Sequence, residues 1–567
     1  MNIIRRKVRT FLLLLKEGDW QGIAERLVRR LGPLIPGKAL DHHPVIDVSL
    51  PGVDIICTPH TRFVAQRVSV SLVALGITPV RILDTPPARY ARRLHIVICP
   101  QMPMKLPHCY IAFQMEQSVS SRWFNESYRK RLEGAVAIME YSLYNVAYLQ
   151  ETFKLSHQQI FYTPISNLPA GCLDKGHQGD VSSLADNNTA KMYDVAFYGD
   201  ANTPRRQAFL NALEKHYCVL RISEIFGDEL YIQLAKARLI VNVHYYEDAL
   251  LETTRLYECL SLGHAVVSEK SVDMEEHATL LPYVTFTPIG DIEAMVAAIG
   301  KRLETLSPNS FPTLPNDIAH FHFYFTRLMV ALDQADACQL DNIAPPIDPE
   351  ALSRGVGLSL PETYQRRAVF QAEFPDYPIF PGLRHAQGWR GCALSYRYMA
   401  RQARACGLNA MEVREDDVCM DAAARQRWAR ACRLFDERPE LDVLSGLMAD
   451  IADDVAILEN FEYEGEHYIV INRMTSTVCN RYGTRAMGAL ADWPFEDNNA
   501  ERNTIDRYLE RLGLSVLVPL PFIVQHRADS HSTLWHFQNT TYDALIEASE
   551  KRLMNLARQS SINHKGV

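Results

Sequence analysis

Short apolar runs alternate with amphipathic helical stretches in the first part of the chain. The runs predict strands, and apolar positions at helical spacing predict a helix at residues 63–75. This alternation indicates parallel βα units in a doubly wound sheet. The fourth strand ends in Glu116-Gln117, at the carboxyl edge where such sheets bind ligands. The predicted strands occupy residues 53–57, 80–83, 95–99, 110–117, 135–139 and 160–162.

A second α/β pattern begins at residue 193, after a polar stretch at residues 172–192. Gly199 and Asp200 end its first strand, and Thr203-Pro204 begins a helix in the preferred capping order. A longer helix ends at Gly263, which serves as its C-terminal cap before a short strand. Two further strands are predicted at residues 219–222 and 239–244.

The longer helix carries Glu252, Arg255 and Glu258. At about 100° per residue these side chains cover roughly one third of the helix circumference. Arg255 could bind a diphosphate and Glu258 a ribose, and the helix N-terminus favours an anion. A surface ion pair between Arg255 and Glu258 is the structural alternative.

Residues 331–355 predict a linker, and a strand at residues 356–361 begins a further domain. Arg366 and Arg367 follow that strand, in a place suited to a diphosphate, although a solvated helix start would look the same. Glycines at residues 388 and 391 would allow close backbone approach, and a helix beginning at Ala393 would direct its N-terminus at an anionic group. A tight turn without a ligand is the alternative.

Three consecutive carboxylates, Glu415, Asp416 and Asp417, follow a predicted strand at residues 408–413. Adjacent like charges are tolerated when they are solvated or when a divalent cation lies among their oxygens. Mg²⁺ takes one or two protein carboxylates and completes its shell with water and substrate phosphates. The cluster therefore predicts a nucleoside diphosphate held through a metal, with an acidic surface turn as the alternative.

The length, net charge and cysteine content of the chain exclude several classes of function. The 567 residues are too many for one core, and a net charge of −8 does not favour nucleic acid as a partner. The 12 cysteines include no Cys-x-x-Cys pair, which predicts a reducing cytosol and no structural zinc. No apolar run is long enough for a transmembrane helix.

The N-terminal region differs from the rest of the chain. Residues 1–40 hold nine lysines and arginines against three carboxylates, and apolar residues recur there at helical spacing. Such a helix can lie on an anionic leaflet, or it can pack on the protein with its basic face solvated. We therefore predict a basic amphipathic helical region at residues 1–45 and a peripheral membrane contact through residues 1–31.

The segment Glu258-Cys259-Leu260-Ser261-Leu262-Gly263 and the strand after it resemble the nucleotide-sugar-binding domain of GT-B glycosyltransferases. Asn242-Val243-His244 resembles a strand end of that domain, and residues 321–327 resemble its closing helix. The resemblance implies two Rossmann-like domains, at residues 46–190 and 191–330. Glu252 lies six positions before Glu258, where the family more often has eight. The implied donor-binding residues are Gly199, His244, Glu252, Arg255 and Glu258.

The second half resembles the lipopolysaccharide/lipooligosaccharide galactosyltransferase family, in which a Leu-Pro strand end, an Arg-Arg pair, a Gly-Cys-x-Leu-Ser helix start and Glu-Asp-Asp-Val follow in this order. Late segments around Asp506, Gln525 and Ser530 match as well. The resemblance implies a GT-A-like domain at residues 356–540, followed by a C-terminal helix and tail at 541–567. Tyr396 replaces a usual His, and Arg414 replaces an apolar residue and could neutralise part of the acidic cluster.

The resemblance also implies roles for particular residues. Asp416 and Asp417 would be catalytic, and Mn²⁺ or Mg²⁺ held by Glu415, Asp416 and Asp417 would act as a Lewis acid on the leaving diphosphate. Donor-binding residues would be Arg366, Arg367, Ser395, Asp506 and Gln525. The base that deprotonates the acceptor stays open among Asp450, Asp453 and Asp454, as does the role of His526, whereas His531 is expected at the surface.

The prediction as a whole is an α/β chain with two GT-B-like Rossmann domains followed by a GT-A-like domain. It would transfer sugars from UDP-sugar donors to a glycan or lipid-linked glycan of the bacterial surface, such as lipopolysaccharide, O-antigen or capsule. We expect it in the cytoplasm, peripheral on the inner membrane. In the alternatives, one half is a glycan- or partner-binding scaffold, or the acidic site serves a metal-dependent nucleotidyl- or phosphotransferase. The last is disfavoured because no phosphate-binding Gly-rich lysine loop is present.

Overall fold

The computed structural model describes residues 46–169, 172, 191–306, 314–527 and 540–564. The predicted helical region at residues 1–45, its membrane contact and His531 lie outside these residues. The chain divides into two compact units, the first ending at Thr326 and the second beginning at Arg327. Within the described residues, no helix combines the length and apolar character needed to cross a bilayer.

The first unit contains two parallel sheets. The strands of the first sheet are β1 (Val53–Ile56), β2 (Val80–Leu83), β3 (Leu94–Ile98), β4 (Tyr110–Gln114), β5 (Ala137–Glu140) and β6 (Ile160–Tyr162). They lie in the order β2-β1-β3-β4-β5-β6. The accompanying helices are α1 (Arg62–Ala74), α2 (Glu126–Glu133) and α3 (Leu143–Glu151), with a 3-10 helix at Pro59–Thr61.

The second sheet has strands β7 (Tyr193–Tyr198), β8 (Val219–Ile222), β9 (Ala237–Asn242), β10 (Ala265–Glu269) and β11 (Val284–Thr287). Their order is β11-β10-β9-β7-β8, so the chain order reverses between β7 and β9. Such a reversal leaves a crevice at the carboxyl ends of the strands. The helices are α4 (Pro204–Leu213), α5 (Gly227–Leu234), α6 (Thr253–Ser261) and α7 (Ile292–Thr305), with a 3-10 helix at Met274–Leu280. A further helix, α8 (Phe321–Ala331), begins in the first unit and ends in the second.

Local sequence accounts for the elements around that crevice. Thr203 accepts a hydrogen bond from the Arg206 amide, and Pro204 occupies the first helical position of α4. Gly263, at φ +77°, follows the end of α6, where a left-handed residue terminates the helix. The predicted α/β fold with parallel Rossmann-like sheets is confirmed in this unit.

The two sheets of the first unit are joined by Glu276, which lies in the 3-10 helix after β10. Its carboxylate accepts hydrogen bonds from the amides of Leu143 at 2.8 Å and Tyr144 at 3.0 Å. These amides begin α3, whose first turn has no intrahelical acceptors for them. The Tyr144 amide also donates to the side chain of Ser142, which precedes the helix, at 3.1 Å. Burial raises the pKa of Glu276 to about 7, while its bonds to Leu143 and Tyr144 oppose that rise.

The second unit is built on an eight-stranded mixed sheet. The strands of this unit are β12 (Val356–Ser359), β13 (Ile379–Pro381), β14 (Ala410–Glu415), β15 (Val418–Cys419), β16 (Val443–Ser445), β17 (Ile457–Tyr463), β18 (Glu466–Ile471), β19 (Cys479–Gly483), β20 (Val516–Leu520) and β21 (Gln525–His526). The large sheet runs β13-β12-β14-β19-β16-β20-β18-β17, and β15 pairs separately with β21. Strand β19 is antiparallel to both β14 and β16.

The helices of the second unit cover this sheet or connect its strands. They are α9 (Ala351–Arg354), α10 (Tyr364–Glu373), α11 (Gly388–Ala405), α12 (Ala422–Asp436), α13 (Thr484–Ala491), α14 (Ala500–Asn503), α15 (Ile505–Glu510) and α16 (Thr540–His564), with a 3-10 helix at Ala337–Asn342.

The predicted start of α11 at Ala393 is wrong, because the helix begins five residues earlier, at Gly388. Gly391 belongs to the helix and not to a turn. A Cβ on Gly391 would lie 2.8 Å from the carbonyl oxygen of Leu383 and 2.9 Å from the amide of His385. The glycine therefore permits close backbone approach, as predicted, but to residues of the chain itself.

Candidate functional site

Most of the residues predicted for donor binding in the first unit meet where β7 and β9 end. Arg255 extends from the first turn of α6, and its NH1 donates to Asn242 Oδ1 at 2.8 Å. The same nitrogen lies 2.7 Å from Glu252 Oε2. Arg206, from the first turn of α4, reaches the other oxygen of Glu252. We define the switch-point cluster as Gly199, Arg206, His244, Glu252 and Arg255.

Gly199 allows the cluster to close. Its φ of +120° is one that side-chain-bearing residues rarely adopt. A Cβ at this position would lie 2.9 Å from the Arg255 NH2 atom. The guanidinium therefore occupies space that any other residue at position 199 would take.

Glu252 is shared by two arginines. Arg206 NH2 lies 2.8 Å from Glu252 Oε1, and Arg206 also donates from Nε to the Val243 carbonyl at 2.9 Å. Burial alone would raise the pKa of Glu252, but the charges on Arg255 and Arg206 lower it below its usual range. Two guanidinium groups therefore meet at this crevice, and such groups favour an anion.

His244 is buried beside these charges. Its Nε2 lies 3.0 Å from the carbonyl oxygen of Lys270, so this nitrogen carries the proton. Its Nδ1 lies 3.8 Å from Glu252 Oε1. The His244 amide donates to Glu269, which also forms a two-bond ion pair with Arg205. This framework fixes the loop after β9.

Glu258 of α6 lies between Tyr198, at the end of β7, and Tyr231 of α5. Its Oε2 accepts from Tyr198 OH at 2.9 Å and its Oε1 from Tyr231 OH at 3.1 Å. Burial raises the pKa of Glu258, and both tyrosine hydrogen bonds oppose that rise. Each oxygen retains a second lone pair, so the ribose contact predicted for Glu258 stays a prediction.

Arg206 was not among the residues predicted from the sequence. The signal was present, because Thr203-Pro204 fixes the start of α4 and places the next two arginines in its first turn, directly after the strand end at Gly199. Helix N-termini near strand carboxyl ends are common anion sites, so the two arginines could have been included from sequence.

In the second unit the acidic turn, Glu415, Asp416 and Asp417, lies at the end of β14 and is tied to neighbouring elements. Arg366, in the first turn of α10, bonds Asp416 Oδ1 and lies 3.1 Å from Asp417 Oδ2. Ser359 at the end of β12 donates to Asp416 Oδ2 at 2.6 Å.

Two further side chains approach the acidic turn. His526 Nε2 lies 3.3 Å from Asp417 Oδ2, and Tyr396 OH lies 3.1 Å from Glu415 Oε1. Burial, followed by the charge on Asp417, raises the pKa of Glu415 to about 7. Burial would lower the pKa of His526, but its hydrogen bond to Asp417 and the charge of that carboxylate raise it.

Arg414 does not neutralise the acidic turn through a direct ion pair there. Its Nε and NH2 bond Glu412 Oε1 at 3.1 Å and 2.8 Å, and its guanidinium lies 4.1 Å from the centre of the Tyr377 ring. Residues 412 and 414 point to the same face of β14, whereas Glu415 points to the opposite face. Arg414, at which the sequence departs from the family pattern, therefore points into the core and not towards the acidic turn.

The remaining predicted donor residues of this unit are spread out. Ser395 is buried, and its hydroxyl accepts from the Leu383 amide and donates to the Gly391 carbonyl. Asp506 lies in the first turn of α15, and Gln525 pairs with Cys419 across the β15–β21 ladder. Arg367 is half-buried on the same helical turn as Arg366.

The charges of the acidic turn and of Asp506 act on the same thiol. Burial raises the pKa of Cys392, and the charges on Glu415, Asp506 and Asp417 raise it further. Among the predicted bases, Asp453 pairs with Arg552 and Asp454 with Arg473, whereas Asp450 is buried.

The acidic turn does not fit a divalent cation as it is arranged. Across the residues that the structure describes, no group of three or more histidines, cysteines or carboxylates is placed to hold a metal ion. The oxygens of the turn contact Arg366, Ser359, His526 and Tyr396. Ligation of Mn²⁺ or Mg²⁺ by Glu415, Asp416 and Asp417 stays a prediction.

The sequence matches no protein-family model and no curated protein. Among solved structures, sucrose-phosphate synthase from Thermosynechococcus elongatus matches at 14% identity over 49% of this chain and 95% of its own, with a TM-score of 0.30. WaaG, a glycosyltransferase involved in lipopolysaccharide biosynthesis, matches at 11% identity over 45% and 90%, also with a TM-score of 0.30. An alpha1,3-fucosyltransferase with GDP-fucose matches at 10% identity over 54% and 99%, with a TM-score of 0.29. Similarity of this degree carries no conclusion about the activity of this chain.

Proposed function

We propose that the chain is a glycosyltransferase with two modules, GT-B-like in the first unit and GT-A-like in the second. It would transfer sugars from UDP-sugar donors to a glycan or lipid-linked glycan of the bacterial surface, such as lipopolysaccharide, O-antigen or capsule. The observation that carries the proposal is the switch-point cluster, where Arg206 and Arg255 share Glu252 at the reversal of a parallel sheet. Two guanidinium groups in that crevice suit the diphosphate of a nucleotide-sugar.

In this proposal the arginines act on the leaving group. As the bond from C1 of the sugar to the phosphate oxygen breaks, negative charge develops on the nucleoside diphosphate. Arg255 and Arg206 are fixed by Glu252, Asn242 and the Val243 carbonyl before the reaction begins. Donors fixed in advance stabilise developing charge without reorganising. Gly199 and the N-terminus of α6 would lie against the diphosphate, and Glu258 would accept from the ribose.

A second candidate is that only the first unit transfers sugar while the second binds a glycan or a partner. The acidic turn favours it, because Arg366 and His526 already supply positive charge to Asp416 and Asp417. An arginine between two carboxylates takes the place that a divalent cation would need.

Release of UDP from UDP-glucose, UDP-galactose and UDP-N-acetylglucosamine tests the proposal in the full chain. We expect Arg255→Met to lower release about 100-fold or more, the usual cost of losing one charge-stabilising donor. Arg221→Met is the matched control, because Arg221 pairs with Glu214 at the surface of the same sheet. Unchanged release in Arg255→Met would contradict the assignment to the switch-point cluster.

The same assay distinguishes the two candidates for the second unit. If both EDTA and Asp417→Asn abolish the release of UDP, the second unit is a metal-dependent transferase. Release that neither treatment changes would favour a binding role for that unit. If the wild-type chain neither binds nor cleaves any of the three donors, the proposal as a whole is overturned.

A further inference from the structure

The loop after β4 is held in place by buried side chains that the proposed donor site does not use. The amide of Glu116 donates to Gln114 Oε1 at 2.5 Å, and its carbonyl accepts from Gln114 Nε2 at 2.6 Å and Asn145 Nδ2 at 3.0 Å. Gln114 and Asn145 are fully buried. Both backbone polar groups of Glu116 are therefore fixed by the protein interior.

A buried carboxyl group holds the two amide side chains in turn. Glu140, at the end of β5, accepts from Gln114 Nε2 at 2.8 Å and from Asn145 Nδ2 at 3.0 Å. Asn145 Oδ1 also accepts from the Ser118 amide at 2.9 Å. A network in which every member has partners rigidifies the loop that it supports. The loop therefore holds the backbone of Glu116 in one place.

That place lies next to the switch-point cluster. Gln117 Oε1 accepts from the amide of Leu250 at 3.0 Å, two residues before Glu252. The carboxyl end of β4 is thus bonded directly to the segment that leads into α6. The Glu116 side chain is half-buried at this edge, where parallel sheets place their reacting groups.

The charges around Glu116 suit a group that accepts a proton. Burial, and to a smaller extent the charge on Glu252, raises the pKa of Glu116, while Ser121, the Gln117 amide and Arg122 lower it. A carboxylate with a pKa above its ordinary value is a stronger base at neutral pH than a solvated one.

We propose that Glu116 is the catalytic base of the first unit, an inference that rests on the proposed transferase function. The Glu116 carboxylate takes the proton from the acceptor hydroxyl. The acceptor oxygen forms a bond to C1 of the donor sugar. The bond from C1 to the phosphate oxygen breaks, and its electron pair leaves with the nucleoside diphosphate. Water replaces the acceptor hydroxyl when the donor is hydrolysed.

Sodium azide distinguishes a base from a merely structural residue, because azide attacks C1 without losing a proton. The experiment follows the Arg255-dependent release of UDP from the three UDP-sugars in the full chain, with and without azide. We expect Glu116→Gln to lower transfer to water about 100-fold or more, to form glycosyl azide at the wild-type rate, and to bind UDP as the wild type does. Glu126→Gln, an exposed residue paired with Arg129, is the control and should change neither rate.

Other outcomes would overturn the inference. If Glu116→Gln loses the azide and water reactions equally, Glu116 supports the fold or the donor and is not the base. If both reactions persist, another group takes the proton. A wild-type chain that binds UDP and cleaves a donor keeps the proposed function intact in either case, whereas a wild type inactive towards every donor contradicts both proposals.

Discussion

At the scale of single residues, Gly199 is the position at which the switch-point cluster is most sensitive. Gly199→Ala introduces a Cβ 2.9 Å from Arg255 NH2 at a φ of +120°. We expect a loss of about 1–3 kcal/mol in the free energy of unfolding, together with weaker UDP binding because Arg255 is displaced. Urea unfolding and calorimetric titration measure the two effects.

The control for this prediction is Gly227→Ala. Gly227 also has a positive φ, +60°, but no atom lies within 4 Å of the position that a Cβ would take there. That variant should lose stability through backbone strain alone and keep its affinity for UDP. Equal affinities in both variants would contradict the role given to Gly199.

Glu140 gives the first unit a dependence of stability on pH. Burial raises its pKa to about 8, while Gln114 and Asn145 oppose that rise. The folded chain keeps the proton where the unfolded chain releases it, so stability falls as the pH rises from about 4.5 to about 8. A pKa difference of one corresponds to about 1.4 kcal/mol, so the wild type should lose at least that much more than Glu140→Gln over this range.

Thermal unfolding between about pH 5 and pH 8 checks this expectation. Glu133→Gln, which changes an exposed carboxylate paired with Arg129, should follow the wild-type curve. A Glu140→Gln curve parallel to the wild type would show that Glu140 is ionised in the folded chain throughout.

Which site residues could be predicted depended on where their partners lie in the sequence. Glu252 and Arg255 are one helical turn apart, so their pairing was readable as a local pattern. The place of Arg206 after a strand end was readable too, but its pairing with Glu252, 46 residues away, was not. The same holds for the bond from Ser359 to Asp416, which spans 57 residues. Contacts of that span are set by sheet order, which a single sequence does not specify.

At the scale of elements, a buried ion pair within the second unit joins Arg327, where that unit begins, to Glu362 in the segment after β12. Arg327 NH1 and NH2 each lie 2.7 Å from an oxygen of Glu362, and both side chains are fully buried. Glu362→Gln leaves the Arg327 charge buried without its counter-charge. We expect a loss of about 3–5 kcal/mol in the free energy of unfolding, measured in urea.

The control variant is Glu440→Gln, because Glu440 pairs with Arg438 at the surface of the same unit. Such exposed pairs contribute less than about 1 kcal/mol. A similar loss in the two variants would contradict the importance given to the buried pair.

The elements were more predictable than their contacts. The strands at residues 80–83, 160–162 and 219–222 have the predicted bounds, because each is a short run of mostly apolar residues. The start of α11 was not predictable, since Gly388 and Gly391 are typical of turns. Their helical role becomes clear only when residues 383–385 are seen to pass against the helix.

At the scale of the whole molecule, each unit has its own hydrophobic core. The first unit contains one cluster of buried apolar residues around Ile138 and Val146 and another around Val241 and Phe209. The second unit has a separate cluster around Trp428, which shares no residue with the other two. Separate cores unfold as separate cooperative units. We expect calorimetry to resolve more than one transition.

The variants above assign those transitions. Gly199→Ala should lower one transition and Glu362→Gln another, with little effect on the remaining one. A single transition that both variants lower equally would contradict two independent cores. The sequence predicted more than one core from length alone, but not which residues belong to each.

The carboxylate of Glu276 makes the backbone amide of Leu143 a reporter of contact between the two sheets. Leu143 begins α3, yet the acceptor of its amide lies 133 residues further along the chain. This proton becomes available to solvent whenever Glu276 withdraws, even while α3 stays folded, whereas the neighbouring Tyr144 amide keeps its bond to Ser142 Oγ. Deuterium uptake at Leu143, compared with Val146 in the next turn, therefore measures how often the two sheets of the first unit separate.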